Sequence, residues 1–196
     1  MIYRYADIND FSTEQLNSYF KMMSAERQQK ALKLRAFGDY ERCVIADYLI
    51  RSTLAELDGI RPEELVFSRD ENGKPFAENS SYYFSISHSR DYAMCAVDDK
   101  PIGCDIEEER GHSPLLWRRI VCGNEGSLIE EGRITLTELW TLKEAFLKRN
   151  GAGIKAGLQS VEFSFDGDKI VASDSSCDMH LIKEIKGYPI SICTSK

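Results

Sequence analysis

Apolar and acidic side chains alternate through Ile102-Gly103-Cys104-Asp105-Ile106-Glu107-Glu108-Glu109, and that period of two predicts a strand. Ile102, Cys104 and Ile106 share one face, and Asp105, Glu107 and Glu109 the other. A period nearer 3.6 dominates 135–149, where Trp140, Lys143, Glu144, Leu147 and Lys148 fall on one side of a predicted helix that Asn150-Gly151 stops. Upstream, a short strand over 2–5 leads to Ser12 and Gln15, spaced as a capping box that opens a helix. Ser24 caps a basic helical segment that Gly38 is expected to end. A long amphipathic helix over 39–57 follows, with Val44, Ile45, Tyr48, Leu49 and Leu54 as its buried stripe. Pro62 suits the first turn of a short helix, and 65–68 reads as a strand running into a turn at Asn72-Gly73.

Strands over 82–87 and 92–97, joined by a link at 88–91, precede the acidic strand, and helical pieces over 114–121 and 125–130 follow it. The C-terminal part is β again. A hairpin pairs 161–165 with 169–172 around Asp166-Gly167-Asp168, and two more strands cover 179–185 and 189–194. Helix and sheet are segregated in each half, an α+β pattern. The order strand, helices, strands recurs, although no sequence repeat is visible.

Composition narrows the function classes. The chain has 196 residues, 42% of them hydrophobic, enough for one compact domain or two small subdomains with real cores. Twenty-five basic side chains stand against 32 acidic ones, for a net charge of −7, which disfavours nucleic-acid binding through a basic surface. The cysteines Cys43, Cys95, Cys104, Cys122, Cys177 and Cys193 form no C-x-x-C pair and read as reduced residues of a cytoplasmic protein. Neither a signal peptide nor an apolar run of membrane-spanning length is present, so a soluble, non-membrane protein is expected.

The candidate chemistry lies where charge meets these patterns. Alternate residues of a strand are roughly 7 Å apart, so Asp105 and Glu107 can share one hard cation through oxygen ligands, and the cation a phosphate. Alone, the strand is expected to be half-buried with a solvated acidic face. Glu144 and Lys148 alone read as an exposed i, i+4 pair worth a few tenths of a kcal/mol. Together, Glu144 becomes a third carboxylate for the cation, and Lys148 a group that neutralises phosphate charge. His88, at a predicted strand end, and Ser87 offer donors suited to a phosphate. Gly73-Lys74-Pro75 is a turn that presents a lysine, and Arg27, Lys30 and Arg69 can complete a basic pocket in an acidic protein.

In order and spacing these segments resemble the Sfp-type 4′-phosphopantetheinyl transferases across nearly the whole chain. The likeness is carried by NGKPF at 72–76, FSISHS at 84–89, IGCDIE at 102–107 and WTLKEAFLKRNGAGI at 140–154, with the opening helices at 24–51. The resemblance implies a holo-[acyl-carrier-protein] synthase activity: the phosphopantetheine arm of coenzyme A passes to a serine of an apo acyl, peptidyl or aryl carrier protein, releasing adenosine 3′,5′-bisphosphate. It implies that Asp105, Glu107 and Glu144 hold Mg²⁺ on the diphosphate of coenzyme A. Glu144 would also be the general base, and Lys148 the group that neutralises or protonates the departing phosphate. It places Lys30, Arg69, Lys74, Ser85, Ser87 and His88 against coenzyme A, with Arg27 near the 3′-phosphate. The implied fold is a pseudo-twofold α+β monomer of two similar subdomains, 1–100 with the basic residues and 101–196 with the carboxylates and catalytic helix, and coenzyme A in the cleft between them.

Some positions depart from the family pattern. Cys104 replaces an aliphatic residue, and Cys43 a hydroxyl used for phosphate contact. Glu109 has no matching role, Glu125 corresponds to a further family acid, and the segment before Trp140, where the family meets its carrier, is short and divergent. Two other function classes remain open on the residues alone: an idle carrier-binding or coenzyme A-binding module, and a Mg²⁺-dependent phosphohydrolase.

Overall fold

The computed structural model describes residues 1–111, 113–151 and 157–196; positions 152–154, the end of the last family-like motif, lie outside them. The chain divides into two compact units, Met1–Asp99 and Lys100–Lys196. Among the described residues no helix is long and apolar enough to cross a membrane.

The first unit runs β1 (Ile2–Asp7), α1 (Thr13–Met22), α2 (Ala25–Leu32), α3 (Phe37–Asp58), β2 (Phe67–Arg69), β3 (Pro75–Ala77), β4 (Tyr83–Ser89) and β5 (Tyr92–Asp98). β5 is the centre of an antiparallel sheet ordered β1-β5-β4, and α3 packs across β4 and β5. The caps form as the sequence predicts: Ser12 and Gln15 close a capping box on α1, and the Ser24 hydroxyl accepts from the Arg27 amide. Gly38 does not end α2, which stops at Leu32; it sits in the first turn of α3. Nor is α3 buried along one stripe only. Cys43, Val44, Ile45, Ala46 and Asp47 are all buried in succession, because α1 and α2 cover the side of α3 away from the sheet. Tyr48 is only half-buried and stacks on Tyr19, ring centroids 3.7 Å apart.

A strand missing from the sequence reading, β3, pairs with β2 across a turn in which Asp70 Oδ1 accepts from the amides of Asn72 and Lys74. Gly73 takes φ +86° there, a conformation that favours glycine. β4 and β5 run further than expected, so the link shrinks to Arg90-Asp91 and His88 lies on the strand.

The second unit repeats this order: β6 (Ile102–Ile106), α4 (Pro114–Ile120), α5 (Glu125–Glu130), α6 (Leu136–Asn150), β7 (Phe163–Asp166), β8 (Lys169–Ala172), β9 (Cys177–Ile185) and β10 (Tyr188–Ser195). The sheet is again antiparallel with the last strand central, β6-β10-β9, and α6 packs on β6 and β10 as α3 does on its own sheet. Each unit is thus a strand, three helices, a hairpin and two strands, with the first strand paired to the last: two similar α+β subdomains without a shared sequence pattern. A helix on a three-stranded sheet requires only apolar faces of matching size, which many sequences satisfy.

Two contacts fix where α6 sits. A Cβ built on Gly103 would lie 2.0 Å from Ala145 O and 2.4 Å from Arg149 N, so the helix backbone rests directly on β6. On another face of α6, Lys143 is fully buried and paired with the equally buried Glu125 at 2.9 Å; its ammonium also donates to Val161 O at 2.8 Å. Glu125 Oε1 in turn accepts from the Phe163 amide at 2.9 Å. Such a pair is destabilising to break because the survivor is a buried uncompensated charge.

Gly103→Ala is expected to cost about 3 kcal/mol or more, since the collision is with backbone; urea unfolding measures it, and a loss below about 1 kcal/mol would show that α6 can lift off without penalty. Lys143→Met should cost about 3–5 kcal/mol, and Lys143→Met with Glu125→Leu markedly less than the sum of the two single changes.

Candidate active site

The acidic comb is not a solvated face. α6 lies over it, and its alternation outlasts the strand: beyond Ile106 the amides of Glu107 and Glu109 still bond to Pro189 O and Gly187 O, at 3.3 and 2.7 Å. Asp105 is only 3% exposed, and Lys148 reaches it from the helix, Nζ to Oδ1 2.7 Å. The surface pair Glu144–Lys148 anticipated from spacing is therefore replaced by a cross-element pair. Glu144, one turn earlier, is 7% exposed, and its Oε1 is buried with no hydrogen-bond partner among the described residues. Glu109 leaves the group: its carboxylate accepts from Thr135 Oγ1 at 3.2 Å, and Thr135 is the residue that caps α6. The comb's third tooth anchors the helix that carries Glu144.

Burial raises the Glu144 pKa above the ordinary carboxylate value, and the charge of Asp105 and then of Glu107 adds to the rise against the opposing pull of Lys148. For Lys148, burial is the largest influence and acts to lower the pKa, but Asp105, Cys104 and Glu144 together outweigh it and the net direction is up. The lysine stays charged.

Three carboxylates and one ammonium thus share a corner. Among the described residues no three His, Cys, Asp or Glu side chains converge into a ready metal cage. The donors nonetheless fit a magnesium ion, which takes hard oxygens, keeps several waters, and needs only one or two carboxylates when substrate phosphates complete its shell. The buried Glu144 Oε1, without a hydrogen-bond partner among the described residues, is the sign, because such an atom is costly unless a cation or a proton meets it. Beside the group, Glu107 and Trp140 help to line a small cavity of about 100 Å³ together with Arg110, Leu116 and Thr137.

The basic residues belong to the first unit. Arg27 and Arg69 line a cavity of about 260 Å³ whose walls also include Asp47, Arg51, Phe67 and Phe84. Lys30 stands outside it in an exposed pair with Glu26, 2.8 Å apart. That hydrogen bond and the charge of Lys30, followed by the charges of Arg69 and Arg27, lower the Glu26 pKa, so the three cations gather around this carboxylate. Arg69 Nη1 donates to Gly73 O at 2.7 Å and braces the turn carrying Lys74. Ser85 and Ser87 are buried on one face of β4, whereas His88 is exposed on the opposite face, the one that carries Phe84 and Ile86 into the cavity. Ser87 and His88, read from the sequence as a joint donor pair, therefore point apart. Cys43 is buried beside Arg27 and Asp47; burial pushes its thiol pKa up, and Arg27 opposes the rise.

Asp47 and Arg51 escaped the sequence reading as functional positions, and Glu125, matched there to a further family acid, is buried in a pair with Lys143. The available signal was spacing: Asp47 and Arg51 are i, i+4 within an otherwise apolar helical stretch, where a charge has to be matched.

Comparison with known proteins places this geometry among relatives. A family model described as 4′-phosphopantetheinyl transferase, N-terminal, matches residues 10–100, and one described as 4′-phosphopantetheinyl transferase superfamily matches 101–193. The chain is 29% identical to the 4′-phosphopantetheinyl transferase psf-1 of Bacillus pumilus over 93% of its own length and 83% of the relative's. It is 28% identical to the 4′-phosphopantetheinyl transferase Sfp of Bacillus subtilis strain 168, over 94% and 87%. With the 4′-phosphopantetheinyl transferase HetI of Nostoc the identity is 36% over 59% and 54%.

Millimolar Mg²⁺ is expected to raise the melting temperature of the protein and to do so far less for Glu144→Gln, which keeps the shape of the side chain but not its charge. Equal shifts in differential scanning fluorimetry would remove Glu144 from the cation site.

Proposed function

Since the chain belongs to the 4′-phosphopantetheinyl transferase superfamily, we propose that it transfers the 4′-phosphopantetheine arm of coenzyme A to a serine of an apo acyl, peptidyl or aryl carrier protein. Adenosine 3′,5′-bisphosphate is the second product. The observation that carries this reading is the corner on α6 and β6, where Lys148 meets Asp105 at 2.7 Å and the buried Glu144 Oε1 has no hydrogen-bond partner among the described residues.

The reaction is a displacement at phosphorus. The serine Oγ forms a bond to the phosphorus that bears the arm, the diphosphate bridge breaks, and the serine proton leaves. Little covalent work falls to the protein in such transfers, so positioning and charge neutralisation supply most of the rate. Glu144 is the base that takes the serine proton, directly or through water. Lys148 faces the departing phosphate, and because Asp105 keeps it charged it acts as a neutraliser before it acts as a proton donor. Asp105, Glu107 and Glu144 are the residues that would hold Mg²⁺. The ion, when bound, withdraws charge from the diphosphate oxygens.

Arg27, Lys30, Arg69, Lys74, Ser85, Ser87 and His88 are the proposed coenzyme A contacts, with Arg27 and Arg69 supported by their place in the cavity wall. A cytoplasmic monomer that engages neither nucleic acid nor membrane completes the proposal.

Mass spectrometry of an apo carrier mixed with the protein, Mg²⁺ and coenzyme A tests it. The carrier should gain the mass of the phosphopantetheine arm, and Glu144→Ala should abolish the gain. Binding of coenzyme A with no carrier modification would favour the idle module, and arm release without transfer the phosphohydrolase.

A further inference from the structure

Two arginines share one buried carboxylate beside the first unit's cavity. Asp47 Oδ2 lies 2.6 Å from Arg51 Nε, and Asp47 Oδ1 lies 3.3 Å from Arg27 Nε. The two cations are not equivalent. Arg51 is consumed inside: its side chain is 2% exposed, it donates to Pro62 O and Leu65 O at 3.1 Å each, and its guanidinium lies 4.7 Å from the Phe67 ring centroid. Arg27 keeps 25% of its side chain exposed and lines the cavity. Two positive charges against one negative leave the trio with a single net positive charge at its open end, where Arg27 lines the cavity with Arg69 and Glu26.

On the reading that this chain binds coenzyme A, we propose that Asp47 is a positioning residue that sets the Arg27 guanidinium for the 3′-phosphate of the nucleotide. Three features support the role. Contact through Nε is the arrangement that leaves the two terminal amino groups of an arginine for bidentate recognition of a phosphate. Both ends of the support are fixed, since the Arg27 amide is held by the Ser24 hydroxyl at 3.3 Å and Asp47 by Arg51. A long side chain ordered before the ligand arrives loses less conformational freedom on binding. Asp47 as a mere counter-ion for Arg51 would need only Oδ2; its second oxygen serves Arg27.

The test compares coenzyme A with 3′-dephospho-coenzyme A as arm donors, in the wild type, Asp47→Asn, Arg27→Ala and the double variant. Wild-type transfer from coenzyme A establishes the parent reading, and no transfer overturns that reading instead. Asp47→Asn is expected to raise KM for coenzyme A about tenfold, the order of the cost of immobilising one long side chain once the ion pair that orders Arg27 is lost. It should leave kcat and the KM for the dephospho donor near wild type. In the Arg27→Ala background it should add nothing further. A KM for coenzyme A that is unchanged or lower, an equal rise for both donors, or additive effects in the double variant overturn the proposal. If Asp47→Asn is too unstable to assay, Asp47→Glu, which retains the charge but displaces it, is measured on the same two donors with the same expected and overturning outcomes.

Discussion

The corner where α6 meets β6 depends on an absent side chain. At Gly103 the backbone of α6 touches the backbone of β6, and any larger residue would hold the helix away from the strand. Lys148 reaches Asp105, and Glu144 sits among carboxylates, only because the two elements meet at this distance. Glycine serves here through the volume it leaves empty. The same contact converts an acidic strand face, ordinarily left to water, into a buried site whose charges have to be answered by other groups.

Both units solve a similar problem in the same way. Each lays a long helix over a three-stranded sheet, and each helix turns a charged residue inward: α3 carries the Asp47–Arg51 pair, and α6 carries Lys143, answered by Glu125 from α5. These pairs also spend charge on backbone carbonyls, Pro62 and Leu65 in one case and Val161 in the other. Buried pairs of this kind are poor sources of net stability but strong constraints on geometry. Geometry is what these pairs supply, holding carboxylates and basic side chains at set distances.

Much of this was legible beforehand where one local rule governs. The capping box at Ser12, the stop at Gly151 and the strand through Asp105 follow from spacing alone. The carboxylates and Lys148 were legible because alternation and helical spacing placed them on defined faces. The hairpin strand β3 was not, since three residues beginning with a proline give almost no periodic signal. Nor was the split of Ser87 from His88, because the link after β4 is shorter than the turn-forming residues suggested.

The sequence by itself determined the order of the elements other than β3, the α+β class and the charged residues on the chemistry-bearing strand and helix, because periodicity and capping act within a few residues. Only the tertiary structure decided which of those charges meet. Lys148 chose Asp105 over its helical neighbour Glu144, and Glu109 left the acidic group to hold the cap of α6. Asp47 came to bridge two arginines from different helices. Such pairings are set by the approach of elements far apart along the chain, and the energy that selects them, the cost of a buried charge without a partner, has no counterpart in an extended chain surrounded by water.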